Sequence, residues 1–215
     1  MIKTTLAPVS AIADVLALWG EDGWLTPPLL PVIPASTPIV GRALTITVVA
    51  GSTGRGMAPI YDVLSADLTG RVLLVAGASA IPGAVWGEIL TQAALQQGAT
   101  AVLVDGSVRD RPAMSELGLP VYACCESIVG PAGLAQITAV EAPVIVESTR
   151  VQPDDVIVVD GTGCVRLRAA TADAVLAAAQ RYAAAEDLVV QALNEGEPLS
   201  RAYRHKKTVT DELRR

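Results

Sequence analysis

The sequence predicts an α/β fold with a central parallel or mixed sheet, and three observations carry that expectation. Residues 72–75 and 101–104 are short continuous apolar runs, the pattern of strands buried on both faces. Between them, residues 87–97 have helical apolar spacing, and Gly98 is placed to stop the helix. Strand, helix, strand in that order implies two parallel strands joined by a right-handed crossover.

The remaining elements follow in chain order. Val9, Ile12, Val15, Leu16 and Trp19 mark a first helix over residues 8–20, closed by Gly20 and Gly23. Pro27, Pro28, Pro31, Pro34 and Pro38 make residues 26–38 an extended connector. Residues 43–49 are β-branched and read as a strand. The loop Gly51-Ser52-Thr53-Gly54-Arg55-Gly56 precedes a helical stretch near residues 60–64. It lacks a Lys-Ser/Thr pair and the GxGxxG order, so it reads as a loop over an active site rather than a phosphate cradle. In the crossover helix, Ile89, Leu90, Ala93 and Ala94 are expected on one face, with Trp86 in the core just ahead of it. Later strands are expected at 120–123, 143–146, 155–159 and 164–167, and a long helix over 172–193 closes the fold. Without a repeat or a linker, residues 1–215 read as a single domain.

Composition narrows the function classes. Residues are 51% apolar, yet no run of 18 lacks a polar or breaking residue, so no membrane span is expected. Residues 1–5 do not open a signal peptide, and a cytoplasmic protein is the expectation. A net charge of −6 argues against nucleic acid as a partner, because phosphate neutralisation needs clustered Lys and Arg. The basic cluster Arg201, Arg204, His205, Lys206 and Lys207 reads as a solvated or subunit-contacting tail. Cys124, Cys125 and Cys164 form no CxxC pair and are expected as buried reduced thiols. His205 is the only histidine, which removes a Ser-His-Asp triad and an HExxH zinc site. The only lysines are Lys3, Lys206 and Lys207, none placed for Schiff-base chemistry. A metal ion is therefore the expected electrophile for any carbonyl chemistry.

The residues that carry chemistry sit in the strand–helix–strand unit. Loops leaving parallel strands emerge at one sheet edge, where ligands gather. The loop after 72–75 leads to Gly87 and Glu88, and the loop after 101–104 carries Arg109 and Asp110. The backbone amides of Ile89 and Leu90, in the first helical turn, suit a carboxylate. Gly87 allows close backbone approach. Arg109 can grip a carboxylate or enolate oxygen with two parallel hydrogen bonds. Asp110 is a hard oxygen ligand for Mg²⁺, and Glu88 can exchange a proton. Glu88 alone is also explained by helix-dipole compensation, and the Arg-Asp pair alone by a surface ion pair. Their combination beside Gly-rich turns favours function.

At these residues the chain resembles the RraA-like family, which includes the 4-hydroxy-4-methyl-2-oxoglutarate/4-carboxy-4-hydroxy-2-oxoadipate aldolases. The resemblance rests on Val40-Gly41-Arg42-Ala43-Leu44-Thr45, residues 70–75, 83–90 and 105–110, Leu119-Pro120-Val121-Tyr122, and residues 151–163. The aldolase hallmark is an acid, twenty residues, then Arg-Asp, and here it is Glu88 with Arg109-Asp110. Glu88 departs from the aspartate common at that position, and Asp154 stands where glycine is common.

The resemblance implies a swivelling β/β/α domain, assembled as a homotrimer or a hexamer of paired trimers. The C-terminal helix and tail, residues 172–215, would contact a neighbouring subunit. The backbone of 87–90 and Arg109 would bind a pyruvate-like group, Asp110 would help hold a divalent cation (Mg²⁺, or Mn²⁺), and Glu186 from a neighbouring C-terminal helix would contribute an acid. The implied activity is class II cleavage of a 4-hydroxy-2-oxo dicarboxylic acid to pyruvate and a second oxo acid, with oxaloacetate decarboxylation as a side activity. The alternative is a non-enzymatic regulator that binds a ribonuclease. Intact Asp110 favours the aldolase branch. A menaquinone methyltransferase reading lacks its Gly-rich nucleotide loop.

Overall fold

The structure, a computed structural model, describes residues 6–25, 29–51 and 53–214. The N-terminal reading over residues 1–5, with Lys3, lies outside the described residues, as do Pro27, Pro28 and Ser52. The chain is a mixed α/β fold on one large sheet. Helix α1 (Val9–Leu18) buries Val9, Ile12, Val15 and Leu16, as its spacing requires. Then follow β1 (Leu30–Ile33), β2 (Ile39–Ala50), α2 (Pro59–Val63) and β3 (Arg71–Ala76). The crossover comprises β4 (Ala84–Trp86), α3 (Glu88–Gln96) and β5 (Ala101–Val108), followed by α4 (Arg111–Leu117) and β6 (Val121–Glu126). The second half holds β7 (Ala135–Val140), β8 (Val144–Val146), β9 (Thr149–Val151), β10 (Val156–Asp160) and β11 (Gly163–Leu167). Helices α5 (Ala172–Asn194), α6 (Leu199–Ala202) and α7 (Arg204–Leu213) end it.

The sheet runs β1-β6-β5-β3-β2-β10-β11, with β4 added to β5 and β7 to β2. Pairs β2–β3, β3–β5 and β5–β6 are parallel, and β1, β7, β10 and β11 join antiparallel. The apolar runs are buried on both faces because strand side chains alternate. Leu73, Val75, Val102 and Val104 enter the core beneath α2 to α4, while Val72, Leu74, Ala101 and Leu103 enter a second core with Leu25, Tyr122 and Ile157. Each of these valine and leucine side chains contributes about 1.5–3 kcal/mol by leaving water.

Several expectations are corrected. The Pro-rich 26–38 segment is not wholly a connector, since Leu30–Ile33 pairs antiparallel with β6; an edge strand tolerates Pro31 because it needs few donors. On α3, Ala94 is buried and Leu90 and Ala93 pack against the core as expected, joined by buried Thr91; Ile89 alone leaves that face, at 77% exposed. Cys164 is buried, but Cys124 is half-buried and Cys125 exposed, because β6 runs out to the sheet's rim; all three are free.

The basic tail is folded, not simply solvated. Trp19 Nε1 donates to the Leu213 carbonyl at 2.8 Å, tying α7 to α1. Lys206 Nζ bonds Glu186 Oε1 at 2.6 Å and lies over the Tyr182 ring. Asp154 takes a left-handed backbone (φ 66), a conformation in which glycine is at ease and aspartate is tolerated. Arg71 Nη1 steadies it by donating to Oδ1 at 2.6 Å. Among the described residues no helix is long and apolar enough to cross a membrane.

Candidate active site

The C-terminal ends of β3, β5 and β6 open at one rim, and the site lies there. Strand β5 extends four residues past its apolar run, where Ser107 and Val108 pair with β4 and β6, and Asp105, Gly106, Ser107 and Val108 are all buried. The Asp105 carboxylate is accommodated by the Gly77 amide at 3.1 Å and the Cys124 thiol at 3.7 Å. Burial, with Asp105 close by, pushes the Cys124 thiol up to about 11, so it stays protonated at neutral pH. Gly106 is obligatory: a methyl group there would meet Ala78 Cβ at 2.6 Å and its carbonyl carbon at 2.7 Å. That close packing brings the segment after β3 against β5.

Beyond β5 the chain delivers Arg109 and Asp110. The Arg109 amide donates to the Trp86 carbonyl at 3.0 Å, stitching the end of β5 to the segment entering α3. Trp86 is buried, as expected, and its Nε1 donates to Thr91 Oγ1 at 2.8 Å; that hydroxyl in turn donates to the Gly87 carbonyl at 2.9 Å. The first turn of α3 is thereby fixed from below.

One pocket of about 310 Å³ gathers Gly87, Glu88, Ile89, Leu90, Arg109 and Asp110 with Trp86 and Pro131. Gly87 caps α3 without a side-chain bond. Among the described residues the amides of Glu88, Ile89 and Leu90 have no hydrogen-bond acceptor, as expected for a helix's first turn. They and the helix dipole make the pocket's floor attractive to an anion. Glu88 is exposed at the rim. Arg109 and Asp110 side chains are 43% and 44% exposed, with Nε 3.5 Å from Oδ2. Such a screened pair holds its partners weakly, which leaves both free to meet a ligand. Asp110 is in the left-handed region (φ 61, ψ 33), a backbone cost that tends to persist where function over-determines it.

Two structural features hold this arrangement. A methyl group on Gly87 would sit 2.8 Å from Asp110 Oδ2 and 3.1 Å from Arg109 Cγ, so glycine is what lets the two loops touch. A methyl group on Gly130 would sit 3.0 Å from Arg109 Nη1, so the guanidinium lies against bare backbone there. The loop after β6, which the sequence reading passed over, supplies Gly130 and Pro131, and its Val129 carbonyl accepts the Ala84 amide at 2.8 Å. The signal for it is the Gly130-Pro131 pair just beyond a parallel strand whose neighbours were already implicated.

Glu186 stands apart from these residues. It is on α5, paired with Lys206 of the same chain, and does not line the pocket. Burial of Lys206 alone would lower its pKa, but hydrogen bonds to Glu186 and Tyr182 outweigh that and hold it above the ordinary lysine value.

The family model described as RraA-like, Aldolase/RraA, matches residues 9–166. A curated Halalkalibacterium halodurans protein named "Putative 4-hydroxy-4-methyl-2-oxoglutarate aldolase" is 24% identical over 201 residues, 93% of this chain and 90% of that one. The crystal structure of an uncharacterized protein from Pseudomonas syringae pv. tomato superposes with a TM-score of 0.80 at 26% identity, covering 91% of this chain and 92% of that one. Streptomyces coelicolor RraAS2, titled an unusual member of the RNase ES inhibitor RraA family, gives 0.69 at 21% identity, covering 79% and 84%.

Proposed function

The chain belongs to the RraA-like (Aldolase/RraA) family, and from that premise we propose that it is a divalent-metal-dependent carbon–carbon lyase. Its substrate is a 4-hydroxy-2-oxo dicarboxylic acid, cleaved to pyruvate and a second oxo acid, with oxaloacetate decarboxylation as a side activity. The observation that carries the reading is one pocket lined together by the first turn of α3, the Arg109 side chain and the Asp110 carboxylate. The name of the Halalkalibacterium halodurans relative points the same way.

The donor set fits a hard cation. Among the described residues no three His, Cys, Asp or Glu side chains gather, so a His- or Cys-rich centre has no ligands here. A half-exposed carboxylate such as Asp110, completed by water and substrate oxygens, suits Mg²⁺, with Mn²⁺ next. When bound, the cation would supply positive charge to the keto oxygen as negative charge develops on it.

The chain's own groups do the rest. The amides at 88–90 and the Arg109 fork hold the 2-oxo acid's carboxylate, beside the Asp110 carboxylate that would hold the cation. A base takes the proton of the 4-hydroxyl, and Glu88 at the rim is the candidate. The O–H electrons form the carbonyl of the second product as the C3–C4 bond breaks. That bond's electrons pass to the C2 oxygen as an enolate, which Arg109 stabilises. Protonation at C3 then gives pyruvate. Oxaloacetate reaches the same enolate by losing CO₂. The working assembly in this reading is a homotrimer or hexamer, and Glu186 would serve a neighbouring site only by releasing Lys206.

The test is pyruvate release from oxaloacetate with Mg²⁺ and then with EDTA. Release that needs Mg²⁺ and drops at least a hundredfold in Arg109→Ala is expected. Equal rates for wild type and variant would sink the enzyme reading. The ribonuclease-regulator reading, for which the Streptomyces coelicolor neighbour speaks through its fold, would then take its place.

A further inference from the structure

Two arginines flank Asp110, and only Arg109 belongs to the pocket described above. Asp110, between Arg109 and Arg111, has a left-handed backbone (φ 61, ψ 33). Arg111, the first residue of α4, pairs instead with Glu126, Nη1 to Oε1 at 3.2 Å. Glu126 ends β6 and lines a second pocket of about 520 Å³ with Ser127, Ile128, Arg109 and Asp110. The two pockets therefore share Arg109 and Asp110 as a common wall. A ligand whose charged head rests on α3 can extend past Asp110 into the second pocket. At the edge of that pocket a carboxylate already sits on a guanidinium. The side chains are 58% and 49% exposed, so the pair is solvent-screened and weakly held. One carboxylate can replace another there at little cost, and the planar guanidinium offers the newcomer two parallel donors.

We infer that Arg111 reads the distal carboxylate of a 2-oxo dicarboxylic acid, taking it in place of Glu126. This rests on the reading above, in which the 2-oxo acid head binds at α3, and it names the residue that selects dicarboxylates over monocarboxylates. Arg109 and Arg111 then grip the two ends of one substrate, with Asp110 between them. A rival exists in the pair Arg55–Asp62, at 3.3 Å. Arg55 borders a pocket that meets the first one only at Pro131, whereas the Glu126 pocket shares both Arg109 and Asp110.

Calorimetric titration of the full chain with pyruvate and with 2-oxoglutarate, in Mg²⁺, decides the matter. 2-Oxoglutarate carries both carboxylates but no 4-hydroxyl, so it binds without being cleaved. Wild type should bind 2-oxoglutarate at least tenfold tighter than pyruvate. Arg111→Ala should erase that preference while keeping pyruvate affinity within twofold, which also certifies its fold, and Arg111→Lys should restore part of it. Arg150→Ala, an exposed charge elsewhere, should change neither affinity. A preference that survives Arg111→Ala, one that is absent from wild type, or one that Arg55→Ala removes instead, overturns the inference while leaving the α3 reading intact. Wild type that binds neither acid overturns both.

Discussion

Placing a methyl group on Gly87 tests the contact between the two loops of the site. The backbone there is extended (φ −174, ψ −163), so alanine meets no conformational penalty and the effect is purely one of space. The new carbon would sit 2.8 Å from Asp110 Oδ2 and 3.1 Å from Arg109 Cγ. Ordinary van der Waals contact requires the carboxylate to move by about 0.6 Å. Both neighbours are half-exposed side chains, so they can yield without disturbing the core; stability should fall by about 1 kcal/mol or less. Function should respond far more, because a shift approaching 1 Å in a positioning group costs up to about 10²-fold. The expected result for Gly87→Ala is therefore a loss of about 10- to 100-fold in kcat/KM for pyruvate release, with a Tm within a few degrees of wild type. Paired thermal melts and coupled lactate dehydrogenase assays measure both. Full activity in a folded Gly87→Ala protein would refute the idea that Asp110 must sit where this structure puts it.

Two further outcomes concern the frame. Thr91→Val should remove the acceptor of the buried Trp86 Nε1 and the donor to the Gly87 carbonyl, costing about 1–3 kcal/mol in urea unfolding; an unchanged urea midpoint would show that the first turn of α3 is held in another way. Burial pushes Tyr122 up to about 12 from 10.0, partly offset by the Ala35 amide. Its folded value is the higher one, so its contribution is whole below about pH 10 and is lost as pH climbs toward 12. Cys124, Cys164 and Lys206 are also raised and add the same sign. Urea midpoints from pH 9 to 11.5 should thus fall with pH, and fall less steeply in Tyr122→Phe; identical slopes in the two proteins would contradict the assignment.

Legibility in the sequence followed local physics. The apolar runs of β3 and β5, the helix between them and the long α5 were readable because periodicity and breakers mark them without help from the rest of the chain. Strands β1, β4, β7 and β9 were missed. Three of them have six residues or fewer with mixed burial, and β4 is a buried three-residue segment that pairs with the end of β5. Such strands exist because a neighbour offers hydrogen-bond partners, which no local pattern records. Ile89 went to the wrong face because its apolar character outweighed the register that Thr91 and Ala94 set.

Taken alone, the order of residues determined the chemistry available: an acid, a glycine-led helix start and an Arg-Asp pair on loops that a parallel crossover must bring to one rim. Tertiary packing decided what those groups face. Only the folded chain lays the guanidinium of Arg109 on Gly130 and pairs Arg111 with Glu126. It also commits Glu186 to Lys206. Side-chain identity is written residue by residue, but direction depends on backbone dihedrals and contacts between distant segments, and those exist only once the sheet has closed its register.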